Sequence, residues 1–399
     1  MNVPFSKAPW LLMGGAAALV MLVIALELLP QSPEIADAEA AEITRTCRSR
    51  AERESCYAKG FGDLTGRTNL ERAFRALASL QAADPQARGC HFIAHAIGTA
   101  ETEKDAARWR EVMDRAPDAC TYGAMHGALE VHLAEVSGGL TPEVIRETCA
   151  GARRGDCTHI VGHLLLVETK RNIPGALKLC EALPEERNQR YLCFLGVFME
   201  EETAQNLVAH GLADRSALDW PARLPELETL CRSYTGRYGQ ACWEEIVHAA
   251  AAKFGNDPAT TFGFCTRHPD PLAQARCIRH GIGVVASAQP FSFRLDALGP
   301  ICESLPPRSP VGPAECQAEL IGSFLSTVPD EGPHAQRYCA TLAPKLQPTC
   351  FGAARGTLSA LNRLTPERWN ALCAEVNPAS RGACLDASSR SVAAPLGND

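Results

Sequence analysis

Cys350-Phe351-Gly352-Ala353-Ala354-Arg355-Gly356-Thr357-Leu358-Ser359-Ala360-Leu361 is followed by Thr365-Pro366-Glu367-Arg368-Trp369-Asn370-Ala371-Leu372-Cys373, with Cys384 shortly after. Thr-Pro reads as a helix N-cap followed by proline at the first helical position, where the missing N–H is no loss. The segment so opened ends on a cysteine, and the small-residue segment starting at Cys350 reads as a second, closely packed helix. The unit recurs upstream. Thr141-Pro142 and Asp257-Pro258 repeat the cap, and cysteines fall in close sequential pairs: Cys47/Cys56, Cys149/Cys157, Cys180/Cys193, Cys231/Cys242, Cys265/Cys277, Cys302/Cys316, Cys339/Cys350 and Cys373/Cys384. Cys90 and Cys120 remain as the ninth pair. From Cys157 onward the second cysteines lie 36, 49, 35, 39, 34 and 34 residues apart. A period in the middle thirties with two helices per unit is the signature of an α-solenoid. The long step holds an insertion near 211–227, and the Cys90–Cys120 interval has room for an extra helix over 101–115. The expected fold is all-α: a solenoid of helix pairs stapled by disulfides over 46–388, then a flexible tail, 389–399.

The 399-residue chain is 46% hydrophobic and 21% charged, with a net charge of -7. That balance, without a Lys/Arg block, excludes nucleic acid as an expected partner. The 18 cysteines are even in number, begin only at Cys47 and show no CxxC spacing. Zinc ribbons and iron–sulfur sites are therefore disfavoured, and disulfides in an oxidising compartment favoured. Leu11 to Leu29 is a 19-residue apolar run broken only by Glu27. About 20 such residues cross a bilayer, so 11–29 reads as a transmembrane anchor. Ala36, Ala38 and Ala40 leave cleavage as an alternative. Lys7 lies before the run, and Glu34, Asp37, Glu39 and Glu42 follow it. This favours a short cytoplasmic N-terminus, 1–10, a linker, 30–45, and a remainder in the periplasm or outside the cell, tethered to the inner membrane by a single pass.

The pattern resembles the secreted, cysteine-rich branch of tetratricopeptide-like repeat proteins. In these, one helix ends on cysteine and the next opens with cysteine and a nearby glycine, as in Cys193-Phe194-Leu195-Gly196 and Cys120-Thr121-Tyr122-Gly123. The resemblance covers the architecture of about residues 46–388 and implies a binding scaffold with a protein partner.

Six of the 11 histidines fall between Cys90 and His163. His91/His95 and His159/His163 are i,i+4 pairs, and His126/Glu130 has the same spacing, so each pair shares one helix face. Six residues after the second cysteine stands a column of His126, His163, Met199 and His248, which is Gly62, Gly283, Gly322 and Gly356 in other repeats. Glycine there implies a close neighbour. Imidazoles in the same inner space could combine His91, His95, His126, Glu130, His159 and His163 as ligands for zinc, copper or non-haem iron. Two readings compete with the metal: histidines hydrogen-bonded between packed helices, and a metal-free anion or substrate site. His248, His268, His280 and His334 read as structural. Glu200-Glu201-Glu202 and Glu244-Glu245 read as solvated acidic faces or loop starts, with extra metal ligands as the alternative. There is no catalytic motif: Gly-x-Ser-x-Gly, HExxH, GxGxxG and the P-loop are all missing. The expectation is a membrane-anchored helical-repeat scaffold with a His-lined site, or a metal-dependent protein using it.

Overall fold

The computed structural model describes residues 37–49, 53–83, 90–116, 120, 122–136, 139–150, 156–185, 188–203, 220–287, 298–327, 332–360 and 363–388. These residues are all-α, with no strand among them. One row of helices forms the spine: α2 (Arg53–Arg67), α4 (Cys90–Thr102), α6 (Gly123–Ala134), α8 (Asp156–Glu168), α10 (Gln189–Thr203), α12 (Gly236–Glu245) running into α13 (Val247–Lys253), α15 (Pro271–Ser287), α16 (Pro313–Thr327), α18 (Gln347–Ala360) and α20 (Pro378–Leu385). Each packs on the next in that order. A second layer consists of α1 (Ala38–Cys47), α3 (Leu70–Ala83), α5 (Trp109–Arg115), α7 (Pro142–Cys149), α9 (Ile173–Cys180), α11 (Trp220–Arg232), α14 (Pro258–Cys265), a 3-10 turn (Gly299–Ser304), α17 (Gly332–Thr341) and α19 (Pro366–Ala374). This is a helical-repeat array in which contacts run between neighbours.

Local chemistry sets the outer helices. Thr141, Asp257 and Thr365 accept from the N–H of Val144, Thr260 and Arg368, satisfying donors that a helix start leaves orphaned. Asn172 and Asn377 do the same for Gly175 and Ser380. All nine disulfides join consecutive cysteines as paired above: Cys47–Cys56, Cys90–Cys120, Cys149–Cys157, Cys180–Cys193, Cys231–Cys242, Cys265–Cys277, Cys302–Cys316, Cys339–Cys350 and Cys373–Cys384. Most of these ties link an outer helix to the inner helix after it. The core is a continuous band of Ala, Leu, Ile, Phe and half-cystines, with Trp243 and Trp369 buried and donating to the Cys265 and Cys384 carbonyls.

The transmembrane segment 11–29, the N-terminus 1–10 and the tail 389–399 lie outside the described residues, and among those described no helix is long and apolar enough to cross a membrane. The linker expected over 30–45 is helical from Ala38, because Asp37 caps α1 and Arg72 of α3 pairs with both Asp37 and Glu39. The extra helix expected over 101–115 is the end of α4, a short 3-10 turn (Ala106–Arg108) and α5.

The spine is unevenly spaced, and that creates the site. A Cβ on Gly127 would lie 2.2 Å from the His95 carbonyl oxygen, and one on Gly196 would lie 1.9 Å from that of His159. Glycine therefore lets α4 meet α6, and α8 meet α10, at backbone contact. The α6–α8 contact is much sparser, and side chains fill the space between them. The column position Gly62 is only in ordinary contact, 3.6 Å from the Ala96 oxygen. Gly283 of that column does have a close neighbour, Ser323 Oγ at 2.7 Å from a Cβ there, but the tight backbone approaches at Gly127 and Gly196 fall on other registers.

Candidate metal centres on the inner helices

His126 on α6 faces His159 and His163 on α8 across that wider gap. Ring centroids are 5.4 Å apart for His126/His163, 6.2 Å for His126/His159 and 4.8 Å for His159/His163. Three imidazoles on one tetrahedral ion, with metal–nitrogen bonds of about 2.0–2.1 Å, would have centroids about 5 Å apart. The centroid triangle is near that, but the ligand atoms of the three rings do not all lie within 4.8 Å of one another, so the His126 ring would have to turn to share an ion. The Nε2 atoms of His159 and His163 approach to 3.1 Å, and His163 Nδ1 donates to Glu200 Oε2 at 3.0 Å. Glu200 is fully buried and His163 is 2% exposed. A carboxylate on the far nitrogen of an imidazole is the usual outer partner of a metal-binding histidine. Burial, and then neighbouring charge, pushes His126 and His159 well below their ordinary range, and burial pushes His163 down to about 3. At neutral pH the rings are uncharged, as ligands must be.

The other expected ligands separate from this triangle. His91 packs edge-on against His126 at 4.8 Å, while its Nδ1 donates to the Cys120 carbonyl at 3.2 Å. His95 and Glu130 pair with each other at 2.8 Å. That pair lines an open cleft of about 790 Å³ over α2, α4 and α6, with Gly62, Gly66, Ala96 and Ala100 also among its walls. The six candidate residues are thus split into a central trio, a flanking ring and a separate ion pair.

The acidic runs are not solvated faces. Glu200, Glu201 and Glu202 are all buried, each with its own partner. Glu200 takes His163; Glu201 takes Arg171 at 2.7 Å and Arg223 at 3.1 Å; Glu202 accepts from the Ala249 N–H at 2.6 Å. Glu244 accepts from the Tyr191 hydroxyl at 2.6 Å, and Arg276 lies over the Tyr191 ring at 3.9 Å.

Glu245, His248 and His280 form a second group, in which the sequence reading took both histidines as structural. One ligand atom from each lies within 4.8 Å of the others. Glu245 ends α12, and a single residue, Ile246, separates it from α13, which carries His248. His280 comes from α15, drawn close where a Cβ on Gly281 would stand 3.0 Å from Val247. The signal available was Glu245-Ile246-Val247-His248, the i,i+3 Glu-x-x-His spacing that helical bundles use to hold metals. His280, 32 residues further on, has no local signal.

Compared with known proteins, the chain matches no family model, no curated protein and no solved structure.

Proposed function

We propose that the protein is an extracytoplasmic, membrane-tethered helical-repeat scaffold that holds a transition-metal ion on its inner helices at His126, His159 and His163, with Glu200 orienting His163. The observation that carries the reading is the His159–His163–Glu200 chain of contacts, 3.1 Å and 3.0 Å, facing His126 across the α6–α8 gap. Neutral nitrogen donors with an outer carboxylate suit zinc, copper or iron. Residues 11–29 supply the tether and 1–10 stay cytoplasmic, which leaves the array in the periplasm or outside the cell, where its disulfides persist.

The test is elemental analysis of the full chain, purified from an oxidising compartment in detergent without chelator. Bound zinc, copper or iron should fall by about one equivalent in His126→Ala and in His159→Ala, and stay unchanged in His95→Ala. Metal content that neither of the first two variants alters would sink the reading.

A second reading, protein-partner binding, is favoured by the open cleft over α2, α4 and α6. Small residues on its walls leave room for a partner's side chains between Lys59, Asp63, Arg67 and Glu103. A photocrosslinker at Ala100 should then capture a discrete protein that one at Lys178, on an outer helix, does not. Identical products from both positions would count against it.

A further inference from the structure

The geometry points to a second, separate metal centre at Glu245, His248 and His280, taking a borderline divalent cation of which Zn²⁺ is the type. His248 Nε2 and His280 Nε2 lie 2.8 Å apart, and Glu245 Oε2 is 4.0 Å from His280 Nε2. Two ligand atoms on a tetrahedral ion with bonds of about 2.0–2.1 Å are separated by about 3.3 Å. The observed spacings bracket that value, so small side-chain rotations would seat an ion.

An independent observation points to the same ligand. Glu245 is 1% exposed, and among the described residues neither of its carboxylate oxygens has a hydrogen-bond partner. Buried carboxyl groups are normally satisfied, since one without a partner loses its hydration with nothing in return. The acids beside it cannot help: Glu202 is buried and holds the Ala249 N–H, while Glu244 is taken by Tyr191. A divalent cation would satisfy Glu245 and relieve its repulsion with Glu202 and Glu244. Burial raises Glu245 and Glu202 well above the usual carboxylate range, and it pushes His248 down to about 3.

The donor set limits what binds. Two imidazoles and one carboxylate are too few oxygens for Ca²⁺, which takes about 6–8. They are the donors of three-ligand zinc sites that keep a fourth position for water or substrate. His280 is 26% exposed, so the site reaches solvent on the α15 side. With Glu245 as a direct ligand, this centre offers the ion a carboxylate where the His126 centre offers only imidazoles, and it should prefer a divalent ion over Cu⁺.

The experiment is a Zn²⁺ titration of the metal-stripped full chain by calorimetry, run beside Glu245→Gln, His280→Ala and His163→Ala, with circular dichroism confirming that each stays helical. Glu245→Gln keeps the side chain's shape, so loss of binding there is not loss of fold. The expected result is one equivalent lost, or weakened at least tenfold, in Glu245→Gln and in His280→Ala, while His163→Ala keeps it. A wild-type chain that binds no Zn²⁺, or whose every equivalent persists in both Glu245→Gln and His280→Ala, overturns the proposal. The outcome also separates the two centres. A single equivalent lost only with Glu245 and His280 supports this site and counts against the one at His126, and a single equivalent lost only with His163 does the reverse.

Discussion

The gap between α6 and α8 and the junction of α12, α13 and α15 both bring imidazoles together, but they balance their polar groups differently. In the first, His163 is held between Glu200 and His159, so that the buried carboxylate there has a partner, while among the described residues the His126 ring makes ring contacts only. In the second, His248 and His280 meet each other and the Glu245 carboxylate between helices has none. A satisfied cluster stabilises the fold with or without an ion. An unsatisfied one costs stability until something fills it, which is why the second is the sharper case for a ligand.

The staples give the largest effect with which to sharpen the contrast. Cys180–Cys193 ties α9 to α10, which carries Glu200 and Glu202 and so serves both regions. Cys231–Cys242 ties α11 to α12, which carries Glu245 and so serves the second region alone. Replacing either pair with serine should cost about 2–4 kcal/mol in denaturant unfolding. Loss of the first should weaken metal binding at both regions and loss of the second only at Glu245. Equal effects on both regions would mean that the two are one cooperative unit.

Next come the carboxylates themselves. Glu200→Ala leaves the buried His163 without its partner and should cost about 1–3 kcal/mol. Glu245→Leu in the metal-free chain removes a buried acid that had no partner, so stability should hold or rise, by up to about 1–3 kcal/mol. Equal destabilisation by the two would erase the distinction drawn here.

The buried histidines and the buried acids should pull stability in opposite directions with pH. His163 and His248, pushed to about 3 from an ordinary 6.5, bind fewer protons folded than unfolded between those values. Their contribution is intact above about 6.5 and is lost as the pH falls. Glu202 and Glu245, raised above an ordinary 4.5, keep protons that the unfolded chain gives up. Their contribution is intact below about 4.5 and is lost as the pH rises through their folded values. Thermal melts of the metal-free chain should therefore weaken on both sides, and Glu245→Leu should flatten only the alkaline side. A variant with an unchanged alkaline arm would rule out Glu245 as its source.

The smallest effect belongs to His95→Ala. The His95–Glu130 pair is partly exposed at the cleft, 24% and 14%, so its loss should cost below about 1 kcal/mol and leave metal content as it was. A drop in bound metal would join the cleft to the His126 centre.

The architecture was legible because its signals are local. Thr365-Pro366, Asp257-Pro258 and the spacing from Cys373 to Cys384 each speak about their own turn of chain, and the helices and pairings follow them. The sites depend on what crosses between helices. His126 and His163 shared a column and do meet; His95 shared it under an offset and pairs with Glu130 instead. Glu200-Glu201-Glu202 read as solvated because three acids in a row cannot normally share a core. Here the helix turns each toward a different partner, His163, Arg171 with Arg223, and Ala249. His280 belongs to a site only through a helix crossing that no spacing reports.

Every one of the nine bridges joins a cysteine to the next cysteine in the sequence, across 8 to 14 residues in all but the 30-residue case. A chain entering an oxidising compartment from its N-terminal end presents its thiols in the same order. Each one finds its proper mate as the first unpaired thiol to follow, before any competitor has emerged. Oxidation in order of arrival is then already the correct pattern, and the protein needs an oxidant but no reshuffling of wrong bonds. Of the 18 thiols, the half-open state that waits longest for its partner is the one at Cys90, next to the histidines of α4.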